Sequence, residues 1–340
     1  MKVSFVFPSS GVITGGNYVM YQLANHLAAR GNEVNFFHGP AIPGRIATLD
    51  EVPPMCVGYG VRNFIVDSLE DETLPAADVI FVSNAPRRLG LPASLIQGFK
   101  MLQEATERVV FTASGPKFCV ATWLAEVGVR EFGSPASEFL HVPLGLDHER
   151  FHLESSLADR PIDVAVMCHP HREKGWPVAV AALEELRRRR PTARLLVFGR
   201  VPPDDCPPGV EFVDSPDAIQ LADEIYGQAK IFVQSSRHEG FGYTPVEAMA
   251  CGAALVTTDC GGSRDYAFDG KTAVVVAPDA PEALAEAVDA LLDDEPRRLQ
   301  LAANGAEYIR RFQWATSGEI LEQHLERYIS DPSRFPGVVA

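Results

Sequence analysis

The chain has 340 residues, 46% of them hydrophobic and 22% charged, which is typical of a globular protein long enough for two domains. Its formal net charge of −15 argues against nucleic acid as a partner, because an acidic surface repels phosphate backbones. Its six cysteines form no C-x-x-C pair, which predicts reduced thiols, as in a cytoplasmic protein.

The N-terminal segment does not predict a signal peptide. Its apolar run is short and ends at Pro8, whereas a signal peptide needs roughly 7–15 apolar residues. No stretch reaches the ~18 uncharged apolar residues of a membrane-spanning helix. We therefore expect a cytoplasmic protein with no transmembrane segment, and the sequence leaves its oligomeric state open.

The first half alternates strands and helices. The apolar run 3–7 predicts a buried strand, the segment 17–31 a helix that stops at a glycine, and 33–38 a second strand. A strand–helix–strand unit of this length indicates a right-handed crossover and a parallel sheet. Further predicted elements are strands at 77–84, 108–114 and 138–145 and a helix at 94–105, whereas 45–75 fits no clear element.

The same alternation restarts after a polar stretch at 154–161, which we interpret as a linker. The predicted strands of this half are 162–169, 193–199, 209–214, 230–236, 253–259 and 272–277. Its predicted helices lie near 176–190, 217–229 and 244–251, and from 281 onward. The whole pattern predicts an α/β protein of two Rossmann-like domains, each a doubly wound parallel sheet, facing a central cleft.

Ligands of such sheets bind beyond the carboxyl ends of the strands, so the loops there are candidate sites. In the loop 9–17, Gly15 and Gly16 precede the first helix and leave backbone N–H groups free for an anion or a hydroxyl. The alternative is a plain glycine turn. The fingerprint G-x-G-x-x-G is absent, which argues against a dehydrogenase.

The loop 168–176 carries several cationic side chains after the first strand of the second half. His169, His171, Arg172 and Lys174 would provide charge for a diphosphate beside a helix N-terminus. Two alternatives are a metal site that includes Cys168 and an ordinary solvated loop. The sequence offers no further ligand pair with the spacing of structural zinc.

The segment 235–252 is the most informative. Glu239 and Glu247 stand eight positions apart in a predicted loop and helix, with Gly240 and Gly242 allowing a ligand to approach the backbone. Ionised carboxylates only accept hydrogen bonds, so they suit the hydroxyls of a sugar and a ribose. The alternative is a pair of solvated glutamates.

The chain resembles the retaining glycosyltransferases of family 4, which have the two-domain GT-B fold. The resemblance rests on GGNYVMYQLANHLAARGNEV near the start, VPLGLDHERF (142–151), REKGW (172–176) and above all HEGFGYTPVEAMACGAALVTTDCGG (238–262). It implies an acceptor-side domain at 1–155, a donor-binding domain at 156–314, and a C-terminal helix at about 315–340 that rejoins the first domain.

The resemblance also implies residue roles. Glu239 would contact the donor sugar near its anomeric centre, Lys174 would bind the diphosphate, and Glu247 would hold the ribose hydroxyls. Arg172 would join Glu239 and Lys174 as a catalytic residue, because His169 stands where the family often has an arginine. The donor-binding set would be Gly15, Gly16, His169, Gly240, Phe241, Gly242, Tyr243, Thr244 and Glu247.

Two other positions depart from the family pattern. Ser114, Gly115 and Pro116 stand where the family often has a histidine after a strand, and Leu144 replaces an asparagine.

These features predict a metal-independent, retaining transferase, because the sequence contains no D-x-D. It would move a hexose or deoxyhexose from a nucleoside diphosphate sugar to a hydroxyl of a glycan, glycolipid precursor or small natural product. The nucleotide sugar is then a substrate, and no cofactor is expected. The alternatives are another GT-B enzyme, such as an epimerase or phosphorylase, and a non-catalytic nucleotide-sugar-binding protein.

Overall fold

The computed structural model describes residues 1–7, 14–39, 46–53, 59–82, 87–100, 102–154, 156–200 and 204–335. The chain divides into two compact units, Met1–Gly145 with Gln313–Ala340, and Leu146–Phe312. The boundary expected after residue 155 therefore lies inside the second unit. Each unit is built on a parallel sheet, so the predicted class of two doubly wound α/β domains is confirmed.

Among the described residues before 145, the first unit has seven strands and three α-helices. The strands are β1 (Lys2–Phe7), β2 (Glu33–His38), β3 (Val61–Ile65), β4 (Val79–Phe81), β5 (Leu91–Ile96), β6 (Lys117–Cys119) and β7 (Phe139–His141). The helices are α1 (Gly15–Ala29), α2 (Glu104–Thr112) and α3 (Thr122–Phe132). The strand order is β3-β2-β1-β4-β5-β6-β7, and all neighbours are parallel.

Aromatic side chains form the centre of this sheet. Phe5, Phe36 and Phe81 lie on the adjacent strands β1, β2 and β4, and Phe5 stacks on Phe81 with ring centroids 4.7 Å apart. All three side chains are buried. The apolar run at 3–7 made β1 recognisable in the sequence, because strands covered on both faces are mostly apolar. β2 includes the polar residues Glu33, Asn35 and His38, and its position followed from the strand–helix–strand alternation.

Two elements of this unit were predicted wrongly. The expected helix at 94–105 begins inside strand β5, and the expected strand at 108–114 falls largely on helix α2. In α2 only Glu107 and Phe111 are buried; they are four residues apart and share one face, while Val109 is 42% exposed. Ser114, Gly115 and Pro116 therefore follow a helix and not a strand, and the residue after β5 is Gln97.

The described part of the second unit has six strands in the order β10-β9-β8-β11-β12-β13, all parallel. They are β8 (Ile162–Met167), β9 (Leu195–Gly199), β10 (Glu211–Asp214), β11 (Ala229–Gln234), β12 (Ala254–Thr258) and β13 (Ala273–Val276). The helices are α4 (Trp176–Arg189), α5 (Ala218–Gln220), which continues as a π-helical turn at Leu221–Tyr226, α6 (Tyr243–Ala250), α7 (Pro281–Asp293) and α8 (Glu295–Ile309).

The chain's last long helix, α9 (Trp314–Ser330), belongs to the first unit and packs on α1. The Trp314 ring lies edge-on to Tyr18 of α1, with centroids 5.7 Å apart. The Tyr328 hydroxyl donates a hydrogen bond of 2.9 Å to the Pro92 carbonyl of β5. In the part of the chain that the structure describes, no helix is long and apolar enough to cross a membrane.

Candidate functional site

Three neighbouring strands of the second unit deliver the candidate residues to one edge of its sheet. β8, β11 and β12 are adjacent and parallel, so the loops that follow them leave from the same edge. These loops are 168–175, 235–242 and 259–262. This edge lies beyond the carboxyl ends of the strands, where doubly wound sheets bind their ligands.

Gly175 brings the first loop against the second. Its φ is +67°, and a Cβ on it would lie 2.0 Å from the Ser235 carbonyl oxygen. The Ser235 hydroxyl in turn donates to the Gly175 carbonyl at 3.0 Å. Only glycine permits this approach, because any side chain would overlap the Ser235 backbone. As a result, Lys174 lies beside the loop that follows β11.

Lys174 and Glu239 form an ion pair at this edge. The Lys174 Nζ lies 2.8 Å from Oε1 and 2.7 Å from Oε2 of Glu239. Glu239 is 4% exposed, and the Lys174 side chain is 23% exposed. A pair shielded from water to this degree is stronger than one on the surface, because solvent screens it less. The two residues expected to contact the sugar and the diphosphate are therefore in direct contact.

The backbone of Glu239 is held between the loops after β11 and β12. The Glu239 N–H donates to the Cys260 carbonyl at 2.9 Å, and the Glu239 carbonyl accepts from the Gly262 N–H at 3.2 Å. A further tie joins this loop to the one after β8, because His238 Nδ1 lies 2.7 Å from Glu173 Oε2. These contacts give the Glu239 carboxylate a defined position.

The expected glycine-rich turn leads into helix α6. Gly242 caps the helix with φ +94°, and a Cβ there would lie 2.7 Å from the Tyr266 hydroxyl. Phe241 is 4% exposed and packs against Phe312 and Tyr266, which anchors the turn in the core. Gly240 is buried, and Tyr243 is the first residue of α6.

A small cavity lies beside the ion pair. It is lined by Lys174, Gln234, Ser236 and Thr244, together with the end of β8 and the backbone of β11. Thr244 is the second residue of α6, so the cavity lies against the N-terminal turn of a helix. Helix N-termini favour anions, because their N–H groups lack partners within the helix.

Glu247 faces the π-helical turn from within α6. Its Oε2 accepts a hydrogen bond of 3.2 Å from the hydroxyl of Tyr226, which is fully buried. Burial raises the pKa of Glu247 to about 7, although the hydrogen bond from Tyr226 acts in the opposite direction. The carboxyl group therefore titrates near neutral pH.

His169 and Arg172 are exposed. Partial desolvation lowers the pKa of His169, and the positive charges of Lys174 and His171 lower it further. The Arg172 side chain is 85% exposed, and its one ion pair among the described residues is with Glu173, at 4.0 Å. The described contacts therefore do not join Arg172 to Lys174 or Glu239, and its catalytic role stays a prediction.

Gly15 and Gly16 lie in the first unit, where they begin helix α1. The Thr14 side chain caps the helix by accepting a hydrogen bond of 3.4 Å from the Asn17 N–H. A Cβ on Gly16 would lie 3.1 Å from Oε1 of Gln97, so this side chain faces the helix N-terminus. Residues 9–13 of the predicted loop lie outside the described residues.

Sequence reasoning missed three residues of this site. Gln234 and Ser236 both donate to Glu239, at 3.3 and 2.8 Å, and Tyr226 donates to Glu247. A signal existed for Gln234, since this polar residue follows the apolar run 231–233 at the end of strand β11. The chemistry available here is a lysine cation, a shielded carboxylate and a second carboxyl group that titrates near neutrality.

Comparisons with known proteins show which family this chain is similar to. Residues 162–294 match the family model described as glycosyl transferases group 1. The GDP-mannose-dependent alpha-(1-6)-phosphatidylinositol monomannoside mannosyltransferase of Mycolicibacterium smegmatis is 29% identical over 259 residues, 67% of each chain. The D-inositol 3-phosphate glycosyltransferase of Corynebacterium aurimucosum is 32% identical over 47% of this chain, and the match spans 41% of that relative's length.

Solved structures show the same fold. Sucrose-phosphate synthase from Thermosynechococcus elongatus superposes with a TM-score of 0.75 over 97% of this chain and 99% of its own, at 17% identity. Anabaena HepE in complex with UDP-glucose gives a TM-score of 0.74 over 96% and 100%, at 14% identity. The resemblance to the GT-B glycosyltransferases is confirmed. In this GT-B chain, the matched family region contains both Lys174 and Glu239.

Proposed function

We propose that this GT-B chain transfers a hexose or deoxyhexose from a nucleoside diphosphate sugar to an acceptor hydroxyl with retention of anomeric configuration. The observation that carries the proposal is the shielded contact between Lys174 and Glu239 at the carboxyl edge of the second unit's sheet. A cation and a carboxylate side by side match the two halves of such a donor, which are an anionic diphosphate and a sugar with hydroxyl donors.

Each residue has a distinct task in this proposal. Lys174 meets the charge that develops on the leaving diphosphate, as fixed electrostatic stabilisation of the transition state. Glu239 accepts a hydrogen bond from a hydroxyl of the donor sugar and so orients the anomeric carbon. Glu247, beside Tyr226, accepts hydrogen bonds from the ribose hydroxyls. His169 and Arg172 add positive charge beside the diphosphate.

The reaction proceeds on one face of the sugar. The bond from the anomeric carbon to the diphosphate oxygen breaks, and a bond from the same carbon to the acceptor oxygen forms on the same side. The proton of the acceptor hydroxyl passes to the leaving diphosphate, so no protein carboxylate has to act as a covalent nucleophile. Lys174 stabilises the negative charge of the leaving diphosphate, and we therefore propose that turnover needs no metal ion.

The relatives suggest which donors to test first. One relative is named as GDP-mannose-dependent, and one similar structure holds UDP-glucose. We propose a GDP or UDP sugar as the donor, with a hydroxyl of a glycan, glycolipid precursor or small natural product as the acceptor.

A donor panel tests the function directly. The purified chain is incubated with UDP-glucose or GDP-mannose, with and without EDTA, and release of UDP or GDP and the fate of the sugar are followed. Slow release of free sugar to water that persists in EDTA would support a metal-independent transferase. Conversion of the nucleotide sugar into its epimer would instead indicate an epimerase. Tight binding without any turnover, even when free sugars and glycerol are added as acceptors, would indicate a binding protein.

A further inference from the structure

Gln234 is a buried amide placed beside Glu239. It is the last residue of β11 and is 5% exposed. Its Nε2 donates to Glu239 Oε1 at 3.3 Å, and its Oε1 accepts from the Thr257 hydroxyl at 2.9 Å. Gln234 and Thr257 are register partners on the parallel strands β11 and β12, so both side chains leave the sheet on the same face.

The chemistry of its neighbours gives this amide a single orientation. An ionised carboxylate only accepts hydrogen bonds, so the NH₂ group of Gln234 must face Glu239. The amide oxygen then faces two groups that can donate, the Thr257 hydroxyl and the Cys260 thiol at 3.8 Å. Turning the amide over would place its oxygen against the carboxylate, which is unfavourable. Thr257 therefore orients Gln234, and Gln234 orients Glu239.

The two carboxylate oxygens of Glu239 have unequal surroundings. Oε1 accepts from Gln234, from the Ser236 hydroxyl at 2.8 Å and from Lys174. Within the described residues, the hydrogen-bond partner of Oε2 is Lys174 alone, at 2.7 Å. If Lys174 is drawn away by an anion, Oε1 remains held and Oε2 is left open as an acceptor.

We infer that Gln234 is a positioning residue, which keeps Glu239 in place when Lys174 moves from its carboxylate to the diphosphate of the donor. Oε2 is then the oxygen that accepts a hydroxyl of the donor sugar. This inference rests on the proposed function, because it assigns the sugar to Glu239 and the diphosphate to Lys174. It adds that recognition of the sugar depends on the buried chain of hydrogen bonds from Thr257 through Gln234.

The test compares binding of nucleotides with and without the sugar. In Gln234→Leu the side chain keeps its approximate size but loses both polar groups, and the Thr257 hydroxyl can instead donate its proton to the Thr258 carbonyl at 3.0 Å. Calorimetry on the full chain measures the affinities for UDP, UDP-glucose, GDP and GDP-mannose. We expect the affinity for the nucleotide sugar to fall about tenfold, as for the loss of a hydrogen bond to a charged group. The affinity for the matching nucleoside diphosphate should change by less than about twofold, because this ligand makes no contact with Glu239.

Two further variants make the result specific. Thr272→Val removes another buried hydroxyl of the same unit, which donates to the Tyr266 carbonyl at 2.7 Å, and should leave the ratio of the two affinities unchanged. Thr257→Val frees the far end of the Gln234 amide and should shift the ratio in the same direction as Gln234→Leu, but less. This variant decides the question if Gln234→Leu does not fold.

The outcomes separate this inference from the proposed function. If the wild-type chain binds none of the four compounds, the proposed function is overturned and the role of Gln234 with it. If the wild-type chain binds a nucleotide sugar and the folded variants keep its affinity ratio, only the positioning role is overturned. An equal loss of both affinities would also overturn it, because it would mean that Gln234 only supports the fold of the loop.

Discussion

Protonation of the Glu247 carboxyl group affects the stability of the folded chain. Its pKa is raised by burial to about 7, whereas an exposed glutamate titrates near 4.5. Between these values the folded chain holds a proton that the unfolded chain has released, so unfolding loses this proton. The contribution of Glu247 to stability therefore falls as pH rises from about 4.5 to about 7 and is constant above that.

Glu247→Gln should remove this pH dependence. The variant keeps an oxygen that can accept from Tyr226 but has no proton to lose. Denaturant unfolding at pH 5, 6, 7 and 8 should show the wild type losing stability relative to the variant, by on the order of 3 kcal/mol across the range. Curves that stay parallel would mean that the carboxyl group is already ionised at pH 5.

Lys174 is expected to act more on the transition state than on the ground state. Charge on the diphosphate grows as its bond to the sugar breaks, so Lys174→Met should lower turnover by a larger factor than it lowers nucleotide affinity. The two factors are measured as the rate of UDP or GDP release and as the dissociation constant of the same nucleotide. Equal factors would make Lys174 a binding residue alone.

At the scale of elements, the contact between two loops depends on Gly175. In Gly175→Ala the added Cβ would meet the Ser235 carbonyl at 2.0 Å, so the loop that carries Lys174 must move away from β11. We expect a loss of stability of about 2 kcal/mol or more and a large loss of donor affinity, because the strained backbone and the clash add together.

Gly270→Ala is the matched control. Gly270 has φ +69°, and a Cβ on it would meet nothing within 4 Å. Gly270→Ala therefore places an alanine in the same left-handed conformation, which costs roughly 1 kcal/mol, but without the clash. Thermal unfolding and calorimetry with UDP or GDP should separate the two variants. Equal effects in both would show that backbone conformation alone, and not the approach to Ser235, makes Gly175 necessary.

Buried strands were the most predictable elements. β2 was predicted at its observed bounds and β8–β13 within a few residues. Most of these strands contain an apolar run between turns, as strands covered on both faces do, although β2 and the edge strand β10 also include polar residues. The same rule failed at 108–114, where Val109, Val110 and Phe111 imitate such a strand although they lie in helix α2. A short apolar run does not show whether its residues repeat with the period of a helix or of a strand. Here only the tertiary contacts decide between the two.

The sequence predicted which loops carry the candidate site but not which of their side chains are in contact. Charged residues and glycines after strands singled out Lys174 and Glu239 in the sequence. That these side chains touch depends on β8 and β11 being neighbours, and the bond from Gln234 to Glu239 depends on the course of the loop after β11. Both facts belong to the tertiary structure. Glu247 was singled out in the sequence as a carboxylate that would bind the ribose hydroxyls. Its raised pKa could not be predicted, because it depends on burial in the folded chain.

At the scale of the molecule, the final helix stabilises the first unit. Leu325 of α9 is fully buried, and Leu325→Ala should cost about 2–5 kcal/mol. Hydrogen exchange should rise in β1–β7 and α1 but not in β8–β13. Leu284→Ala, at an equally buried position of α7, should reverse this pattern. A uniform rise in both variants would mean that the two units unfold as one.

The return of α9 to α1 has a consequence for how the chain is made. The first unit lacks one of its own helices until the ribosome has synthesised all of Leu146–Phe312. At 5–20 residues per second this takes roughly ten to thirty seconds. During that interval the surface of α1 that receives α9 is uncovered, and at its end the second unit is complete in sequence while α9 has still to be made. We therefore expect the second unit to finish folding before the first, in the reverse of the order of their synthesis.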